Sequence, residues 1–355
     1  MYVLIESKKN RINMEELQME LTGKNIVYIG GFGGIGVETS KLLVKNGVAN
    51  LMILNKTWNE SAYNEIYLVD TNSVCQFMAF DVTAGLAETR SIFAKIVEKL
   101  GHIDVLINGV GICEERDFDL IISTNLMGTI NTTLVAYDHM DKSKGGRGGV
   151  IVSIASVAAL TPFVILPIYS ATKGGILTFT RALAALKPKT GITLSTICPG
   201  PTETSQWTRM NSSICKEIDF KGYARGRKHT LQSPAECAIN IVKAIKTNEN
   251  GATWMCDLGQ LKLVEIKNFW TPPCGKGQCC ETAEQRNNTP CGSVERQETK
   301  QNQDGKQRDK PNQDQEEGLQ NKTTEKVAAL PPRKRKYEVS DLGRDMQNMK
   351  TSLNS

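Results

Sequence analysis

Short apolar runs alternate with helix-length amphipathic segments along most of this chain, and few folds accept that order. Ile26-Val-Tyr-Ile29, Leu51-Met-Ile-Leu54, Ile103-Asp-Val-Leu-Ile107, Val150-Ile-Val152 and Thr193-Leu-Ser-Thr-Ile197 read as strands covered on both faces. Between them, Val37 to Lys45, Leu86 to Leu100, Asp119 to Met140 and Tyr169 to Leu186 read as helices. The last of these carries Ile176, Leu177, Leu183 and Ala184 at helical spacing. Strand–helix alternation of this kind implies right-handed crossovers. The expected fold is therefore α/β, a doubly wound parallel sheet in a single domain spanning residues 21–270.

The composition changes after Trp270. Residues 271–355 hold one aromatic, Tyr337, among Gln, Asn, Lys, Glu and Asp, and such a segment buries too little apolar surface to offset chain entropy. We read 271–355 as a disordered polar tail and 1–20 as an N-terminal extension. A net charge of +5 in 355 residues does not point to nucleic acid. No run approaches the roughly 20 apolar residues that span a bilayer, and Tyr2-Val-Leu-Ile5 is too short for a signal-peptide core. The expected location is cytoplasmic, with reduced thiols. The basic run Pro331-Pro-Arg-Lys-Arg-Lys336, with its Arg333–Lys336 core, offers nuclear import as a minor alternative. Cys274, Cys279, Cys280 and Cys291 cluster, but their spacing fits no common zinc pattern and no histidine lies near them, so no metal is expected.

After the first strand comes Gly30-Gly31-Phe-Gly33-Gly34-Ile35-Gly36, which overlaps two glycine patterns. Either one leaves bare backbone at a strand-to-helix turn, where a pyrophosphate meets a helix N-terminus. A dinucleotide is the expected ligand. An acidic residue about twenty positions on ordinarily bonds the ribose hydroxyls and repels a 2′-phosphate. Asn55, followed by Lys56, stands at that point, so NAD is expected while NADP stays open.

Tyr169 and Lys173 lie four residues apart, on one face of a helix. A free tyrosine, with pKa about 10, is a poor base at neutral pH. A lysine ammonium one turn away favours the phenolate, and we expect a phenol pKa near 7 to 8, a shift of about two to three units. Ser156 supplies a hydroxyl to hold a substrate oxygen against the phenol. Together they make general acid–base chemistry on an alcohol or a carbonyl.

In this order, with thirteen positions between Ser156 and Tyr169, these motifs resemble the short-chain dehydrogenases/reductases. The chain looks most like the insect alcohol dehydrogenases, with 15-hydroxyprostaglandin dehydrogenases as next neighbours. Further motifs carrying the likeness are Thr22-Gly-Lys-Asn25, Asp81-Val-Thr83, Val105-Leu-Ile-Asn-Gly-Val-Gly-Ile112, Gly145-Gly-Arg-Gly-Gly149, Cys198-Pro-Gly200 and Asn250-Gly-Ala-Thr-Trp254. The resemblance implies a Rossmann-type fold and an oxidoreductase that passes hydride between a nicotinamide cofactor and an alcohol/carbonyl pair. It implies that Asp81 and Val82 frame the adenine, and that Asn108 and Gly109 support the strand beside the cofactor. Asn125 helps to hold a proton-relay water, and Ser156 positions the substrate oxygen. Tyr169 transfers the proton, and Lys173 contacts the ribose and lowers the tyrosine pKa. Pro199, Gly200 and Thr204 contact the nicotinamide. Gly109-Val110 replaces the family's usual Asn-Ala. The implied assembly is a homodimer or homotetramer, and the implied partner is a small-molecule alcohol or ketone.

The loop from about Glu203 to His229 is expected to close over the substrate with Trp207, Met210, Phe220 and Tyr223. A competing reading is a catalytically silent relative with a developmental, storage or scaffold role. Silent members tend to lose the tyrosine, the lysine or the fingerprint glycines, and all are present here.

Overall fold

In the computed structural model, the described residues are 19–69, 72–206 and 231–267. The expectations for residues 1–18, for the aromatic loop 207–230 and for the tail from 268 onward lie outside them.

The strands are β1 (Asn25–Ile29), β2 (Asn50–Asn55), β3 (Val74–Ala79), β4 (Val105–Asn108), β5 (Gly149–Ile154), β6 (Ile192–Pro199), β7 (Thr253–Asp257) and β8 (Gln260–Leu263). They form one sheet in the order β3-β2-β1-β4-β5-β6-β7-β8. All pairings are parallel except the terminal β7–β8 hairpin. The doubly wound parallel sheet read from the alternation is therefore the observed architecture. The order reverses between β1 and β4, and in open α/β sheets that switch point opens a crevice at the carboxyl ends of the strands.

The helices are α1 (Gly34–Lys45), α2 (Glu60–Tyr67), α3 (Gly85–Leu100), α4 (Phe118–Ile121), α5 (Gly128–Met140), α6 (Pro167–Ala184), α7 (Lys187–Thr190) and α8 (Pro234–Thr247). They cover both faces of the sheet. On one face Leu43 and Val44 of α1 and Ile241 and Ile245 of α8 pack on Ile26, Tyr28 and Ile53. On the other, Phe93 and Ile96 of α3 and Val135 and Ala136 of α5 pack on Val27, Met52 and Leu106. Alternate residues of β1 thus enter opposite cores, which is why a strand with no polar face is stable here.

The reading from sequence missed β3, β7, β8, α2, α7 and α8. β3 is an edge strand with exposed ends and Gln76 in its middle, so it lacks the continuous apolar run of its neighbours. The stretch read as one helix from Asp119 to Met140 is interrupted. Residues Ile122–Met127 form a π-helical turn between α4 and α5, which is where Asn125 sits. Of the N-terminal extension, Met19 is pinned by a hydrogen bond from its backbone N–H to the Lys246 carbonyl (2.7 Å) and packs on the first core.

Candidate active site

The glycine-rich turn joins β1 to α1 at the switch point. Gly30 has φ +89°, a conformation L side chains avoid. At Gly36 a Cβ would meet the Gly30 carbonyl oxygen at 2.3 Å, so the helix can start directly against the turn only with glycine there. Gly33 caps α1 without any side-chain hydrogen bond. The first N–H groups of α1 therefore have no side-chain acceptor, the condition that favours an anion at a helix N-terminus. Gly31 lies against Ile53 of β2. Thr204, from the loop after β6, reaches across the crevice, and a Cβ on Gly34 would sit 3.0 Å from its methyl.

At the end of β2, Asn55 is half-buried. Lys56 Nζ forms an ion pair with Asp81 Oδ2 at 2.8 Å, and Asp81 Oδ1 accepts from the Thr83 N–H and hydroxyl. The lysine and these hydrogen bonds hold the Asp81 carboxyl below the usual range against the opposing effect of its partial burial. Val82 is buried, its side chain filling the space above Gly128. The Asn108 side chain donates to Thr133 (2.9 Å) and accepts from Thr132 (2.9 Å), so it ties β4 to α5 and leaves its backbone and Gly109 to face the crevice.

Toward the other end of the sheet, a cavity of about 190 Å³ opens between β5, β6 and α6. Ile35, Gly109, Pro199, Gly200 and Thr204 line one side of it, and Ser156, Tyr169 and Lys173 line its floor. Much of its remaining wall is apolar, with Val157, Phe163, Ile165 and Leu166, and Cys113, Thr202 and Gln206 add polar atoms to it. Ser156 stands just beyond β5, capping a short 3-10 turn by accepting the Ala158 N–H at 3.1 Å. Tyr169 and Lys173 project from the first two turns of α6 into the same space.

Asn125 does not line this cavity. The π-helical turn presents its amide to the loop after β4, where Oδ1 accepts from Ile112 N–H (2.8 Å) and Nδ2 donates to Ile112 carbonyl (2.9 Å) and to Thr172 (3.2 Å). A Cβ on Gly111 would lie 2.9 Å from Lys173 Nζ and 3.6 Å from Asn125 Oδ1, so this loop runs directly beside the lysine.

The electrostatics depart from the sequence expectation. Lys173 is 3% exposed, its Nζ 5.6 Å from the Tyr169 ring centroid and donating to the Ile154 carbonyl at 3.1 Å. Burial pulls the lysine down from 10.5 to about 8. The neighbouring thiols give it no counter-charge at neutral pH, because burial pushes Cys113 up and Cys198 up to about 12. Tyr169 is not lowered toward 7 to 8. Burial pushes its phenol above the ordinary value of 10, Cys113 adds to the rise, and only the hydrogen bond from Ser156 opposes it. One ammonium beside the ring does not overcome that desolvation.

Two residues near the site were not singled out as functional by sequence reasoning. Gln206 donates to the Cys113 sulfur at 3.0 Å on the cavity rim. Glu115, buried in the loop after β4, accepts from the backbone N–H groups of Ile168 (3.0 Å) and Tyr169 (2.7 Å). Neither belongs to a motif, so only the tertiary structure could find them. Among the described residues no cluster of His, Cys, Asp and Glu is arranged to hold a metal ion, and no helix is long and apolar enough to cross a membrane.

Among solved structures, the chain is similar to levodione reductase, with 20% identity, a TM-score of 0.58, and 67% of this chain and 96% of that one covered. It is similar to ElxO with NADP bound, at 25% identity and a TM-score of 0.54, covering 67% and 98%. A third is the 3-ketoacyl-(acyl-carrier-protein) reductase from Brucella melitensis in complex with NADH, at 22% identity and a TM-score of 0.55, also covering 67% and 98%. Structural likeness at the lower identities speaks for the fold alone. The family model described as short chain dehydrogenase matches residues 24–214, more than half of the sequence, and it covers the glycine turn, Ser156, Tyr169 and Lys173. On that match, the chain belongs to the short-chain dehydrogenase family.

Proposed function

We propose that this protein is a nicotinamide-dependent oxidoreductase acting on an alcohol/carbonyl pair, of the kind represented by insect alcohol dehydrogenases and their 15-hydroxyprostaglandin dehydrogenase relatives. The observation that carries the reading is the convergence of Ser156, Tyr169 and Lys173 on one cavity beside the glycine turn. The uncapped N-terminus of α1 and the bare turn fit a pyrophosphate, and the resemblance assigns Asn55, Asp81 and Val82 to the adenosine end. Bound NAD(P) would supply the hydride acceptor and, in its oxidised form, a positive charge at the nicotinamide.

The chain's own residues do the rest. The Ser156 hydroxyl holds the substrate oxygen, and Tyr169 removes its proton during oxidation or returns one during reduction. Because burial opposes the phenolate, Tyr169 acts as a base only with positive charge beside it, and protonated Lys173 is the chain's own source of that charge. Lys173, which the resemblance assigns to the ribose, would bind cofactor and bias the phenol together.

We favour NAD over NADP. Nothing acidic stands at position 55, but the adjacent cation, Lys56, is already engaged by Asp81. On the substrate side, the apolar wall and the lack of any charged described residue other than Lys173 favour an uncharged, apolar secondary alcohol or its ketone. Purified protein incubated with NAD or NADP and a panel of such alcohols, including cyclohexanol, tests this by absorbance of the reduced cofactor. Turnover with apolar secondary alcohols supports the reading. Cofactor binding without turnover of any alcohol or ketone would instead support a catalytically silent relative.

A further inference from the structure

We propose that Glu115 is a positioning residue that fixes Tyr169 for proton transfer by capping the catalytic helix from outside its own sequence. The proposal rests on the reading above, in which Tyr169 exchanges the proton.

A helix begins with backbone N–H groups that have no partner within the helix. In α6 the residue before the first turn, Leu166, has no side chain able to accept one. Pro167 at the first position carries no N–H, which leaves the donors of Ile168 and Tyr169 in that turn. Glu115 takes both, one carboxylate oxygen on each, and it is 6% exposed while doing so. The next donor, Ser170 N–H, already bonds the Leu166 carbonyl at 2.9 Å. A carboxylate at this end also complements the helix dipole.

The segment that carries Glu115 makes the contact more than a local cap. It starts at Gly109 in the crevice, passes Gly111 beside Lys173 Nζ, and is gripped at Ile112 by the two-way hydrogen bonding of Asn125. Cys113 comes next, on the cavity wall with Tyr169. The loop is thus fastened at one end to the π-helical turn and at the other to the backbone of the tyrosine itself. Releasing the second fastening frees the first turn of α6, and the phenol moves relative to Ser156 just beyond β5. Misplacement of a reacting group by about 1 Å can cost on the order of 10²-fold in rate.

Full-length wild type, Glu115→Ala and Glu115→Gln should be compared by hydrogen exchange and by kinetics, at a temperature well below all three melting midpoints. Backbone exchange of the peptide containing Ile168 and Tyr169 should accelerate at least tenfold in Glu115→Ala. It should accelerate less in Glu115→Gln, which keeps one acceptor. With NAD and the best alcohol of the panel, kcat should fall about 10- to 100-fold in Glu115→Ala, with intermediate loss in Glu115→Gln and the NAD Kd within about twofold. A purely structural cap would lower the melting temperature and leave the kcat of folded enzyme unchanged, and that outcome overturns the proposal. Unchanged exchange at Ile168 and Tyr169 in Glu115→Ala overturns it too, whether or not the wild type oxidises alcohols. A wild type inactive on every alcohol defeats the functional reading alone, because the exchange experiment still decides the fastening.

Discussion

Replacing Lys173 by methionine should stabilise the cofactor-free protein while destroying its catalysis. The lysine is buried and its pKa falls from 10.5 to about 8. At about 1.36 kcal/mol per unit, holding the ammonium inside the fold at neutral pH costs roughly 3 kcal/mol. Methionine has a similar unbranched stem and no charge. It forfeits the hydrogen bond to the Ile154 carbonyl, which offsets about 1 kcal/mol of the gain. A net stabilisation of about 2 kcal/mol corresponds to a rise of about 4–8 °C in melting temperature for a domain of this size. The pH dependence identifies the cause. Between pH 8 and 10.5 the unfolded chain keeps a lysine proton that the folded chain has released, so wild-type stability gains on the variant as pH rises through that window. The difference in Tm should be full below pH 8, vanish within this window and change sign by about pH 10.5, because the roughly 3 kcal/mol that titrates exceeds the net gain of about 2 kcal/mol. Calorimetry of both cofactor-free proteins across this range is the assay. A variant that melts at or below the wild-type temperature at pH 7, with a gap indifferent to pH, would refute the reasoning.

Tyr169→Phe keeps the ring and removes the exchanging proton. Steady-state kinetics should show turnover down by about 10² to 10⁴, and fluorescence titration an unchanged Kd for NAD. Asn55→Asp should raise the NAD:NADP ratio of kcat/KM about tenfold or more through repulsion of a 2′-phosphate, and an unchanged ratio would show that residue 55 does not face the ribose. Gly36→Ala forces a Cβ against the Gly30 carbonyl oxygen at 2.3 Å, backbone that cannot swing away, so urea melts should show a loss of about 1–3 kcal/mol or more together with weakened NAD binding. Leu120, Met127 and Leu134 are exposed apolar residues on the α4–α5 stretch, beside α6, and we expect that face to bury itself in a homodimer. Light scattering at micromolar concentration should give twice the chain mass.

Three kinds of information were written locally in the chain. Strands such as Ile26–Ile29, covered on both faces, announce themselves as unbroken apolar runs, and the glycine turn needs only its own backbone to start α1 against β1. Tyr169 and Lys173 share a face because four residues make one helical turn. Some local signals were present but passed over: Ser233-Pro-Ala-Glu236 is a capping box with proline at the first turn, and it does open α8. β3, with Gln76 in its middle, had no comparable signature, because an edge strand is stabilised by the neighbour it pairs with.

The tertiary structure decided what depends on groups distant in sequence. The π-helical turn at Ile122–Met127 accompanies the pairing of Asn125 with Ile112, thirteen positions away, and no helical period contains it. Glu115 caps α6 across more than fifty residues of chain. The phenol pKa was misjudged from sequence for the same reason. Spacing reports that two side chains are neighbours, whereas the cost of charging them depends on how much water the whole fold removes, and here that desolvation outweighs the attraction of one lysine.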